Sequence, residues 1–170
     1  MKINPPFVEK VLCAFIREEL GKFNYTKAIL GLSGGLDSSV CAFLAAKALG
    51  PKNVIAIILP YKDTFDEDVS DARAVARRLG IRSRVIDIAP MVDAYFSRYP
   101  SQDKVRIGNK MARERMSILY DFSAREHALL LGTSNKTELL IGYGSLNSAC
   151  LSELDELEFK LAGEFWFDHF

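Results

Sequence analysis

The 170-residue sequence predicts an α/β fold, a parallel sheet covered by helices on both faces. Three observations carry that expectation. Short apolar runs alternate along the chain with longer amphipathic stretches, the pattern of strands separated by crossover helices. One run, residues 53–59 (NVIAIIL), is apolar at nearly every position, as a strand buried on both faces must be. Another, ending at Leu30, runs directly into a glycine-rich turn and then into a helical stretch.

The elements follow in order. A first helix is expected from Pro5 or Pro6 to Leu20, with Val8, Leu12, Phe15, Ile16 and Leu20 on one apolar stripe and Gly21 as its stop. Residues 27–32 form the first strand. Residues 36–49 form a helix ended by Gly50 and Pro51, and residues 53–59 the second strand, closed by Pro60. The next helix spans 66–79 and stops at Gly80, and β-branched content predicts a third strand over 82–88. A long helix over 103–127 then leads to a fourth strand at 128–131.

Composition narrows the class. The chain is 49% hydrophobic and 26% charged, with 22 basic and 22 acidic residues, an ordinary globular balance that argues against nucleic acid as the main partner. Arg73, Arg77, Arg78, Arg82 and Arg84 are read as a solvated helix face and its flank. Cys13, Cys41 and Cys150 form no paired framework and are expected to be reduced core thiols. No signal peptide is recognisable and no apolar run approaches the ~20 residues that span a bilayer, so a cytoplasmic location without membrane contact is expected.

Residues 31–39 (GLSGGLDSS) are the most informative segment. A strand that passes through small residues into a helix N-terminus presents several backbone N–H groups and the positive end of the helix dipole to one point, an anion site. The Walker lysine and the G-x-G-x-x-G spacing are both absent, which removes the two common glycine-loop readings. In a parallel sheet such a turn lies at the carboxyl edge, where ligands bind. The segment GTSNKTELLIGYG (132–144) should emerge at the same edge from the fourth strand. Asp37 and Glu138 could there share one Mg²⁺, which takes one or two protein carboxylates and keeps several waters. The alternative is that Asp37 is a helix N-cap and Glu138 a helix-surface acid.

The glycine loop resembles the SGGxDS loop of the ATP pyrophosphatase group, which splits ATP between the α and β phosphates. Together SGGLDSS (33–39), NKMARERMSILYD (109–121) and GTSNKTELLIGYG (132–144) resemble the ammonia-dependent NAD synthetases in the same order. The resemblance covers about residues 1–145. It implies a Rossmann-like, adenine nucleotide alpha-hydrolase-like fold. It further implies that Gly31, Leu32, Ser33, Gly34, Gly35, Leu36, Asp37 and Ser38 bind ATP together with Thr133, that Arg113 contacts deamido-NAD, and that Asp37 and Glu138 hold Mg²⁺.

The implied reaction is ATP- and ammonia-dependent amidation of deamido-NAD to NAD through an adenylated intermediate, with release of AMP and pyrophosphate. No protein nucleophile is required, so His127 and His169 are read as a helix-end residue and a tail residue. The implied assembly is a homodimer. The loop alone is also compatible with a GMP synthetase-like or tRNA-modifying ATP pyrophosphatase, or with a non-catalytic nucleotide-binding remnant. The R-x-R-M segment (Arg113, Arg115, Met116) followed by GTSNKTE favours NAD synthetase.

Past residue 145 the family's Gly-Asp segment, Pro turn and lysine-bearing helix find no counterpart. Residues 146–170 are therefore read as a divergent tail on a truncated domain, with reduced turnover expected. Leu151, Leu154, Leu157 and Leu161 fall at helical spacing within it, followed by Phe165, Trp166, Phe167 and Phe170.

Overall fold

The computed structural model describes residues 4–62 and 66–133. Glu138, Cys150, His169 and the amphipathic pattern in the tail lie outside the described residues.

The chain opens with α1 (Pro5–Lys22), whose N-terminus is capped by the Asn4 side chain accepting from the Phe7 amide and by proline at its first positions. Gly21 does not end it, contrary to the sequence expectation: the helix runs one residue further and stops at Phe23 and Asn24, the latter at φ 60. A glycine in an exposed last turn costs the helix only about 1 kcal/mol, too little to stop it.

β1 (Ala28–Gly31), α2 (Leu36–Leu49), β2 (Val54–Ile58), α3 (Asp66–Leu79) and β3 (Arg82–Val85) follow in the expected order. Each strand is a residue or more shorter than its apolar pattern, since pairing ends before apolar content does. β3 is exposed over its first three residues, as an edge strand can be. After it comes α4 (Ala89–Arg98), a helix that the sequence reading did not place. α5 (Lys104–Glu126) is capped by the Asp103 carboxylate on the Val105 and Arg106 amides and ends at His127 in a left-handed conformation. β4 (Leu129–Leu130) completes the described fold.

The four strands are parallel and ordered β3-β2-β1-β4. The chain steps outward from β1 to β2 and β3, then returns to place β4 on the other side of β1. The order thus reverses between β1 and β4, and beyond the carboxyl ends of those two strands a crevice is expected.

Alternation along the strands divides the core. Leu30, Val54, Ala56 and Ile58 pack with Ala42, Ala45, Ala72 and Ala76 of α2 and α3 on one face. Ile29, Ile55 and Ile57 pack with Ile88, Val92 and Leu119 on the other, under α4 and α5. Alanine on α2 and α3 brings those helices close to the sheet.

Candidate functional site

The turn between β1 and α2 begins where pairing ends. Gly31 is in register with Ile57, and the Leu32 amide donates to the Ile57 carbonyl at 2.9 Å. Leu32 is buried at 1% exposure, so its side chain belongs to the core and only its backbone faces the turn. Gly34 adopts φ +88, a left-handed conformation open to glycine at little cost.

The serines fasten the turn to itself. The Ser38 hydroxyl, 4% exposed, accepts from the Ser33 amide at 3.2 Å, lies 3.0 Å from the Ser33 hydroxyl and donates to the Gly35 carbonyl at 3.2 Å. The Gly35 amide donates to Ser33 Oγ at 3.3 Å, and the Ser39 hydroxyl donates to the Gly35 carbonyl at 2.7 Å. Ser38 is thus a fastener of the turn, and Ser33 is the exposed hydroxyl.

No acceptor for the amides of Gly34 and Leu36 is found among the described residues. They stand at the N-terminal end of α2, capped by Gly35 with no side-chain hydrogen bond. Unpaired backbone donors and the positive dipole end thus coincide at the start of α2, which is the electrostatic requirement for a phosphate. Asp37 lies exposed in the first turn of α2. Its hard oxygen donors suit Mg²⁺ on a nucleotide phosphate, where one or two carboxylates suffice. Among the described residues no cluster of three or more acidic, His or Cys side chains could hold a metal by itself.

The end of β4 reaches the same edge. Leu131 donates to the Ile29 carbonyl at 2.8 Å, which extends the pairing and delivers Gly132 and the half-buried Thr133 beyond it. Cys41, one turn after Asp37, points its Sγ at the Gly132 carbonyl, 3.9 Å away. Burial, and then the nearby Asp37 carboxylate, push this thiol above its ordinary value, so it is a packing group between α2 and β4. The expectation of a plain core thiol is corrected on this point: Cys41 is half-buried, whereas Cys13 is buried as expected.

Arg113 lies on the exposed side of α5. Arg115, the second arginine of the R-x-R-M segment, lies two residues on and therefore on another side of the helix, and the sequence resemblance implies no role for it. In the structure its Nε donates to the Leu59 carbonyl at 2.9 Å, just beyond the end of β2. Helical spacing could have flagged it, because Met111, Arg115 and Leu119 share one stripe and Leu119 is core. His127, just before β4, packs against Tyr25 with ring centroids 4.8 Å apart and the rings tilted by 35°.

A sequence model of the NAD synthase family matches residues 8–151. The chain is 49% identical over 157 residues to the NH(3)-dependent NAD(+) synthetase of Trichlorobacter lovleyi, covering 92% of this chain and 58% of that protein. It is 47% identical over 145 residues to the enzyme of the same name from Fusobacterium nucleatum, covering 85% of this chain and 56% of the other. The chain thus spans about half the length of the curated relatives it matches. Its fold is similar to that of the NH3-dependent NAD synthetase of Campylobacter jejuni in complex with nitrate, with a TM-score of 0.83, 31% identity, and coverage of 99% of this chain and 79% of that one. The parallel sheet with its glycine turn at the order reversal is the Rossmann-like, adenine nucleotide alpha-hydrolase-like fold of those enzymes. By sequence and by fold, the chain belongs to the NAD synthase family.

Proposed function

We propose that this chain acts in the amidation of deamido-NAD to NAD, using ATP and free ammonia. The observation that carries the reading is the β1–α2 turn, which holds amides without an acceptor among the described residues and a helix N-terminus where the order of the described strands reverses. In the first step an oxygen of the nicotinate carboxylate attacks the α-phosphorus of ATP and pyrophosphate leaves. In the second, ammonia adds to the acyl carbon, its excess protons pass to solvent, and AMP departs with the carboxylate oxygen.

The residues supply position and charge. The turn formed by Gly31, Leu32, Ser33, Gly34, Gly35, Leu36, Asp37 and Ser38 holds the triphosphate, chiefly through backbone amides and the Ser33 hydroxyl, and Thr133 contacts ATP from the end of β4. Arg113 contacts deamido-NAD. Asp37 and Glu138 hold Mg²⁺, which neutralises phosphate charge that would otherwise oppose approach of a carboxylate. Fixing two anions at one edge offsets their repulsion and lost freedom, which is most of what such a reaction needs from the protein. The enzyme works as a homodimer in the cytoplasm, a reading drawn from the family; among the described residues no helix is long and apolar enough to cross a membrane.

The test is an assay of NAD formation from deamido-NAD, ATP and ammonium. Equimolar NAD and AMP are expected, with no NAD when glutamine replaces ammonium. Hydrolysis of ATP to ADP, or no NAD above a protein-free blank, would overturn the reading.

A further inference from the structure

We propose that Arg115 is a clamp for the anionic dinucleotide substrate, deamido-NAD, on the side of the strand ends opposite the glycine turn. The proposal rests on the function given above and adds a residue to it. The guanidinium is tethered at one edge, where Nε donates to the Leu59 carbonyl at 2.9 Å. Among the described residues its Nη groups have no acceptor and no carboxylate pairs with it. The side chain is half-buried, so four N–H donors and a full positive charge sit in partial shelter from water with no counter-charge among the described residues. A cation in that state gains most from an anion that takes two parallel hydrogen bonds.

Its place in the fold says which anion. α5 ends at His127 and feeds the start of β4, so it runs against the direction of the strands and its earlier turns lie toward their carboxyl ends. Leu119 packs at the last residue of β1: a β carbon on Gly31 would lie 3.3 Å from Leu119 Cδ1. Arg115 is one turn nearer the carboxyl edge, about 6 Å further on, and its bond to Leu59 confirms that level. It approaches from the α5 face, whereas the glycine turn leads into α2 on the opposite face. ATP phosphates on the turn and an anion on Arg115 would therefore meet across the ends of β1 and β2, the arrangement a carboxylate attacking phosphorus requires. Arg113, exposed on another side of α5, is a separate contact.

The test titrates the full chain by calorimetry with deamido-NAD and, separately, with ATP and Mg²⁺, for the parent, R115Q and R115K. R115Q is expected to bind deamido-NAD about tenfold or more weakly, the scale of a charged hydrogen-bonded contact, with ATP affinity held within about twofold. If R115Q melts at lower temperature, R115K decides. One ammonium cannot hold the Leu59 carbonyl and a two-pronged anion together, so R115K should show the same selective loss. Unchanged deamido-NAD binding in both variants, or a loss that falls on ATP, overturns the clamp and leaves the proposed function standing. A parent chain that binds ATP but not deamido-NAD also overturns the clamp, and one that binds neither removes the function with it.

Discussion

Gly34 lies so close to the first turn of α3 that a β carbon on it would overlap the Asp68 carbonyl oxygen and sit 3.1 Å from the carbonyl carbon. The glycine turn is therefore shaped by two helices, α2 that it starts and α3 that it leans on. At φ +88 a side chain is strained even without the neighbour, at roughly 1–2 kcal/mol. G34A should lower the melting temperature and abolish measurable ATP binding. G35A, where φ is −72 and the nearest atom to an added carbon is Ser33 Oγ at 3.4 Å, should melt within a few degrees of the parent. Equal melting curves for parent and G34A would show that the turn does not depend on this contact.

Removing the buried fastener of the turn should be felt twice. S38A deletes the acceptor of the Ser33 amide and the donor to the Gly35 carbonyl, at a cost of about 1–3 kcal/mol of stability. Urea denaturation gives the loss directly. A tenfold or larger drop in ATP affinity with unchanged stability would instead make the Ser38 hydroxyl a ligand contact.

The metal assignment makes a separate prediction for Asp37. D37A should bind ATP with the same affinity whether or not Mg²⁺ is present, because a direct oxygen ligand has gone. The parent should bind ATP more tightly with Mg²⁺ than without it. Calorimetric titrations in the two buffers check this, and an undiminished Mg²⁺ effect in D37A would place the metal elsewhere.

Past the end of β2, Tyr61 donates to Asp93 at 2.7 Å, and Lys62 pairs with the same carboxylate at 3.0 Å. The tyrosine bond first, then the lysine, hold the Asp93 carboxyl below its ordinary value, and the Asp93 bond holds Lys62 above its own. A lowered carboxyl stabilises the fold above the ordinary carboxylate range, and that contribution is lost as pH falls through the lowered value. A raised lysine contributes below its ordinary value, and its share is lost as pH rises through the raised one. D93N should therefore melt below the parent at neutral pH, and the gap should close in acid. A gap that stays constant into strong acid would contradict the pairing.

Much of this fold was legible because its punctuation is local. Gly50 with Pro51 and Gly80 stop α2 and α3 where expected, and the apolar run at β2 admits one reading. α4 escaped because the residue at its cap position, Ile88, is apolar, the Ala89 amide being taken instead by the Asp87 carboxylate one residue earlier, and because its burial depends on contacts with α5. In the site, the glycine turn is a contiguous pattern and could be read. The inward role of Ser38 depends on how the turn folds back on itself, and the contacts of Gly34 with Asp68 and of Arg115 with Leu59 join residues far apart in sequence; helical spacing marks the buried stripe that carries Arg115 but not its partner. Glu138 lies outside the described residues, so the metal role proposed for it rests on the sequence resemblance alone.

The central claim is that the carboxylate of deamido-NAD attacks the α-phosphorus of ATP in this chain, and following one oxygen atom tests it. Deamido-NAD labelled with heavy oxygen in its carboxylate is incubated with the protein, ATP, Mg²⁺ and ammonium, and the nucleotide products are analysed by mass spectrometry. One labelled oxygen is expected in AMP for each NAD formed, with pyrophosphate unlabelled. Unlabelled AMP, label in inorganic phosphate, or ADP as the product would contradict it.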